Sequence, residues 1–184
     1  MAIDFDAPYL EPDPWGYLYR WYEQRRRHLI AAILPQHELG HVLEIGCSTG
    51  LMAQILAHRA QYWLGLDISE KAIALAQKNL ANHANVDLLR ADITQHWPNR
   101  NFDTHLICDV GYYLSVQQLE RLAKQIELSA QATTVMLLAH WRHAFEQAKT
   151  STQHVHHIMG GCSGLQILAS YSDEDLLLEV WSGN

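Results

Sequence analysis

Apolar residues along this chain follow two spacings. Val42 to Ile45, Tyr62 to Leu66, Val86 to Arg90, Phe102 to Cys108 and Thr133 to Ala139 are short β-branched or aliphatic runs, as expected of strands buried in a parallel sheet. Between them apolar positions recur every three or four residues, on Met52, Ile55 and Leu56, on Ile73, Ala76 and Leu80, and on Leu119, Leu122, Ala123 and Ile126. Ser69 stands where a helix cap belongs, and Ser115 with Gln118 has capping-box spacing. Upstream, Asp13-Pro14 opens a helix expected to run to about Leu34, before Pro35. Its stripe comprises Leu18, Trp21, Tyr22, Leu29, Ala32 and Ile33, with Arg25 inside it. Near the end, Leu165 to Tyr171 and Leu176 to Trp181 flank Ser172-Asp173-Glu174-Asp175, the pattern of an antiparallel hairpin.

Strands alternating with helices predict an α/β fold, a doubly wound, mostly parallel seven-stranded sheet with a C-terminal antiparallel hairpin. At 184 residues, 48% of them hydrophobic, one domain over 1–184 is expected. Residues 1–40 form an N-terminal helical cap or lid, and 41–184 a Rossmann-like core. A net charge of -7 argues against a nucleic-acid partner. The run Arg25-Arg26-Arg27 reads as a solvated helix face, with Arg25 closing over a ligand as the sharper alternative. Three separated cysteines, Cys47, Cys108 and Cys162, suggest neither a disulfide framework nor a zinc site. His154, His156 and His157 share a helix without an acidic or thiol partner nearby in sequence, so no metal is expected. With no leader and no apolar run near membrane-spanning length, the reading is a cytoplasmic protein without membrane anchoring.

The chemistry centres on Glu44-Ile45-Gly46-Cys47-Ser48-Thr49-Gly50, which joins the first core strand to a helix. Gly46 and Gly50 let the backbone turn and approach a ligand closely. Dinucleotide proteins use a similar turn, but with the pattern G-x-G-x-x-G; here Ser48 and Leu51 replace the second and third glycines. Glu44 offers a carboxylate that a pyrophosphate would not want and that a ligand carrying an ammonium and a sulfonium would. The loop therefore points to S-adenosylmethionine. Gly46, Cys47, Ser48 and Gly50 would border it, with Cys47 a packing residue and not a nucleophile.

Ligands of open parallel sheets sit at the carboxyl ends of strands. Asp67, 21 residues beyond Gly46, would hold ribose hydroxyls, with Ile68 beside it. Asp92-Ile93 suits an adenine, the acid taking the exocyclic amine and the aliphatic chain covering the ring face. Asp109 and Val110 border the cofactor, while Tyr112 and Tyr113 face the reacting region. His140-Trp141-Arg142 follows the fifth strand and suits a substrate wall. Among the aromatics ahead of the core, Trp15, Trp21 and Tyr22 are candidates for a lid over the cofactor.

Together these features resemble the class I S-adenosylmethionine-dependent methyltransferases. More narrowly, Asp13-Pro14-Trp15-Gly16-Tyr17, Trp21-Tyr22-Glu23, the Gly-Cys-Ser loop and His140-Trp141-Arg142 resemble the nodulation protein S family. That resemblance implies N-methylation of the free amine of an amino sugar or deacetylated chitooligosaccharide, with S-adenosyl-L-homocysteine as product. Transfer to another small natural-product acceptor, at nitrogen or oxygen, stays open. A nucleotide-dependent oxidoreductase or a non-catalytic nucleotide-binding protein is the remote alternative. For the amine to attack it must be neutral, which makes His140 the expected general base and Asp109 its substitute unless a cap or the cofactor occupies it. The expected partner is a small-molecule acceptor, and the expected assembly a monomer or homodimer.

Overall fold

A computed structural model describes residues 3–11, 13–161 and 165–183; Cys162 lies outside the described residues. Seven strands form one sheet: β1 (Gly40–Ile45), β2 (Ala60–Asp67), β3 (Val86–Arg90), β4 (Thr104–Cys108), β5 (Val135–Trp141), β6 (Leu165–Ser172) and β7 (Leu176–Gly183). Their order is β3-β2-β1-β4-β5-β7-β6. The first five are parallel, and β7 runs antiparallel to both β5 and β6. The expected α/β class, seven strands and closing hairpin are all present.

Alternation along each strand divides the core between two faces. Val42, Trp63, Leu106, Leu137 and Leu178 point to the side covered by α1 (Trp21–Ile33), α2 (Leu51–Leu56) and α3 (Glu70–Asn79). Leu43, Leu66, Ile107 and Leu138 point to the side covered by α4 (Val116–Ser129) and α5 (Thr152–Gly160). Each such buried aliphatic side chain contributes about 1.5–3 kcal/mol relative to exposure. Ser69 caps α3 by accepting from the Ala72 N–H, and Ser115 with Gln118 makes both bonds of the capping box on α4. No helix among the described residues is long and apolar enough to cross a membrane.

Strand ends shift by about two residues at several places, and two boundaries move in ways that bear on the site. The N-terminal helix begins at Trp21, not Asp13. Asp13 does cap, accepting from the N–H groups of Tyr17 and Leu18, but the turn it starts ends at once because Gly16 adopts φ +70°. The segment before α1 is therefore mostly turns, with one 3-10 helix at Ala7–Leu10. β5 extends through Trp141, because its antiparallel partner β7 pairs Leu177 with His140 and Leu176 with Trp141. His140 thus lies inside the sheet and not beyond its end.

His105 on β4 is fully buried against Phe102 and Trp97, and neither ring nitrogen has a hydrogen-bond partner. Burial pushes its pKa down from 6.5 to about 4. The unfolded chain therefore binds a proton that the folded chain refuses, and stability present above pH 6.5 is lost as pH falls toward 4. The loss is on the order of 3 kcal/mol. Denaturant melts of His105→Leu should show a flatter acid limb than the native chain, and an unchanged limb would assign acid sensitivity to other groups.

Candidate active site

At the carboxyl end of β1 the chain reverses over a few residues. Gly46 has φ +76°, and a Cβ there would meet the Val110 side chain at 2.9 Å. Val110 therefore fills the space that the missing side chain leaves. The N–H groups of Gly46 and Cys47 both donate to the Leu66 carbonyl, tying the loop to β2. Ser48 has φ +51°, as does Asp109 at the end of β4. They are the two non-glycine residues among those described with positive φ, a conformation that stores of order 1–3 kcal/mol and collects at functional sites. Asp67 holds Ser48 in place: one carboxylate oxygen accepts from the Ser48 N–H at 2.9 Å and the other from Ser69 N–H at 2.9 Å.

Beneath the loop lies a cavity bordered by Tyr17, Arg26, Arg27, Glu44, Ser48 and Asp109. Gly46, Cys47 and Cys108 line it as well, so Glu44, Gly46, Cys47, Ser48 and Asp109 converge as the sequence suggests. Glu44 is 3% exposed, accepts from the Trp63 indole at 3.0 Å, and has its pKa raised by burial to about 8. The Cys47 thiol is buried and pushed up, in keeping with packing and not nucleophilic attack. Gly50 starts α2 with φ +80°.

The cations differ from expectation. Arg25 points outward to Tyr171 and makes a 2.5 Å ion pair with Asp173, while Trp21 is 70% exposed at the start of α1. Neither borders the cavity. Arg26 and Arg27 do, because the inward face of α1 carries Glu23, Arg26, Arg27 and Ile30. Arg26 pairs with Asp109 at 2.6 Å and Glu23 at 2.9 Å. Arg27 is 9% exposed, and its Nη1 is buried without a hydrogen-bond partner. Glu23 and Asp13 favour its charge, but the unmet N–H at the cavity wall is costly without an acceptor there. The basic run is thus split, one arginine outside and two inside.

Other residues of the N-terminal segment contact the loop and the start of α3. Tyr9 donates to Ser48 Oγ at 2.9 Å, and its ring meets Trp15, which meets Tyr17. Asp6 accepts from Ser69 Oγ at 2.5 Å. Tyr17 belongs to the Asp13-to-Tyr17 run that carries the family resemblance, without a site role of its own in the sequence, and Tyr9 carries no periodic signal. Tyr22 instead packs against the core under α1. Along the other strand ends, Ile68 is 41% exposed, and Asp92 uses one oxygen to accept from Thr94 N–H and hydroxyl, beside half-buried Ile93.

Both candidate bases are engaged. Asp109 accepts from Trp141 N–H at 2.8 Å as well as pairing with Arg26. His140 is fully buried, accepts from Gly111 N–H at 3.1 Å and meets His156 at 3.1 Å, so it does not face either cavity as a free base. Tyr112 and Arg142 do border open space: with His143, Phe145, Thr150 and Gln153 they line a second cavity of about 330 Å³. Arg142 is anchored there by Ser172 and the Asp173 carbonyl. The Trp141 ring lies tilted against His143, and Tyr113 meets Phe5 and Tyr112.

The family model for nodulation protein S matches residues 8–170. This chain belongs to that family. Nodulation protein S of Azorhizobium caulinodans is 34% identical over 128 residues, which are 69% of this chain and 58% of that protein. The Sinorhizobium fredii protein of the same name is 27% identical over 103 residues, 55% of this chain and 48% of its own length. The matched region thus spans about half the length of these relatives. In fold, the N-methyltransferase NodS of Bradyrhizobium japonicum WM9, solved with S-adenosyl-L-homocysteine, superposes with a TM-score of 0.85 at 20% identity, covering 96% of this chain and 95% of the other. The family member described here shares its class I methyltransferase fold.

Proposed function

We propose that this chain methylates the free amine of an amino sugar, such as the terminal glucosamine of a deacetylated chitooligosaccharide, using S-adenosyl-L-methionine. The observation that carries the cofactor reading is the charge pattern of the first cavity, where Glu44 and Asp109 share the lining with Arg27, whose Nη1 has no hydrogen-bond partner. An amino acid bearing a sulfonium complements that pattern: Arg27 and Arg26 suit its carboxylate, and Glu44 its ammonium. Asp67 suits ribose hydroxyls, and the spare oxygen of Asp92 with Ile68 and Ile93 suits adenine. When bound, the cofactor supplies an electrophilic methyl group.

On the acceptor side, aromatic rings from Tyr112 and Phe145 alternate with hydroxyl, amide and cationic groups around the second cavity. Such a mixture suits a hydroxyl-rich ring better than a purely apolar one. With His140 and Asp109 both committed, catalysis comes from positioning and from burial, which favours the neutral form of the amine. The test is transfer of labelled methyl from S-adenosylmethionine to glucosamine oligomers, with alcohols and other amines in parallel. Labelling only of hydroxyl acceptors would overturn the amino-sugar assignment.

Glu44 makes a separate prediction for cofactor binding. With its pKa near 8 it is mostly protonated at pH 7 in the free protein. An ammonium and sulfonium placed beside it favour the carboxylate, so binding should release close to one proton. Calorimetry in two buffers of different ionisation enthalpy reads this directly. Glu44→Gln should abolish the buffer dependence; its persistence would locate the proton elsewhere.

A further inference from the structure

Two buried histidines on the α4 and α5 side of the sheet and the partly buried Glu179, none of them lining either cavity, form an unbroken chain with the Gly111 amide. Gly111 N–H donates to His140 Nε2 at 3.1 Å, His140 Nδ1 meets His156 Nε2 at 3.1 Å, and His156 Nδ1 meets Glu179 Oε2 at 2.9 Å. Glu179 also accepts from the Trp181 indole at 3.1 Å. His140 and His156 are 0% and 3% exposed.

The direction of each bond follows from the first. An amide can only donate, so His140 Nε2 carries no proton and its Nδ1 does. That Nδ1–H must donate to His156 Nε2, and His156 then donates from Nδ1 to the carboxylate. A single tautomer of each ring satisfies all three bonds.

We infer that Glu179, His156 and His140 are positioning residues that hold the 109–113 segment, and with it Tyr112, in place for the acceptor. Gly111 leaves no slack in this arrangement. A Cβ there would lie 2.8 Å from His140 Nε2, and the Tyr112 ring stands edge-on to His140 at 5.4 Å. The cofactor side of the segment is secured separately, by Asp109 N–H to the Ala139 carbonyl and by Trp141 N–H to the Asp109 carboxylate. Disturbing the chain should therefore act on the acceptor and spare the cofactor.

Acid has a defined effect on such a chain. A proton arriving at His140 Nε2 lets the Nδ1 proton pass to His156, which becomes a cation against Glu179. Gly111 N–H then faces another N–H and loses its acceptor. The charged and titratable groups around the pair are Glu179 on β7, which favours that cation, Arg26 on α1, which opposes charge on His140, and the Tyr112 phenol. Burial, His156 and Arg26 together hold His140 well below its ordinary value, so the acceptor KM should rise only as pH falls below the usual imidazole range, by about tenfold for one lost buried hydrogen bond.

This inference rests on the reading of the Tyr112 cavity as the acceptor site, and its test has one arm that does not. Nitrogen-15 spectra of the imidazoles at pH 8 should find the His140 proton on Nδ1, with Nε2 bare; a proton on Nε2 at pH 8 would overturn the chain itself, whatever the acceptor. In the kinetic arm, His156→Gln keeps a carbonyl oxygen to accept from His140 but cannot titrate. It should retain acceptor KM at pH 8 and lose the acid limb, with affinity for S-adenosylhomocysteine unchanged. His156→Leu should raise acceptor KM at every pH. An acid limb in His156→Gln equal to that of the native chain would remove the relay from function. Should the variants fail to bind S-adenosylhomocysteine, the tautomer at pH 8 decides alone.

Discussion

Asp67→Ala is expected to weaken binding of S-adenosylhomocysteine by on the order of 100- to 1,000-fold. Loss of a charge-assisted hydrogen bond to a ribose hydroxyl accounts for roughly 1.5–3 kcal/mol. The rest comes from the loop. Asp67 restrains Ser48, which sits at positive φ, and joins it to Ser69 at the start of α3. Without that carboxylate the free loop relaxes and must be reordered on binding. Asp67→Asn, which keeps one acceptor and loses the charge, should fall between. Calorimetry on folded variants is the measurement, and an alanine variant with native affinity would remove Asp67 from the site.

Arg27→Met should move stability and affinity in opposite directions. In the free protein the buried, unpartnered guanidinium nitrogen destabilises, so replacing it with an apolar chain of similar length should stabilise by about 1 kcal/mol and raise Tm by roughly 2–4 °C. Affinity for S-adenosylhomocysteine should fall by about 10- to 100-fold, because the same nitrogen is the proposed partner of the cofactor carboxylate. Arg25→Met is the control: it breaks a surface pair with Asp173 and should leave affinity unchanged. Thermal melts with and without ligand separate the cases. A destabilised Arg27→Met variant with native affinity would make Arg27 a structural residue.

Much of this protein was legible in one dimension. Strand runs, the caps at Ser69 and Ser115, the Gly46 to Gly50 turn and the acids at successive strand ends are local features, each set by backbone preference or by residues a few positions apart. They were sufficient for the sheet, its closing hairpin and the convergence of Glu44, Ser48 and Asp109 on one cavity. Where tertiary packing decided, local pattern pointed elsewhere. The inward face of α1 is charged, since Glu23, Arg26 and Arg27 serve a cavity and one another, so an apolar stripe was a poor guide to its orientation and named Arg25 and Trp21 instead. His140 looked like a strand-end histidine until its pairing with Leu177 carried β5 past it and buried the ring against His156. Glu179 and Gly111 lie 68 residues apart, and only the folding of β7 and α5 around the end of β4 brings them to opposite ends of one hydrogen-bonded chain. Periodicity reports which face of an element is apolar; which polar groups meet inside is settled by the partners that the fold supplies.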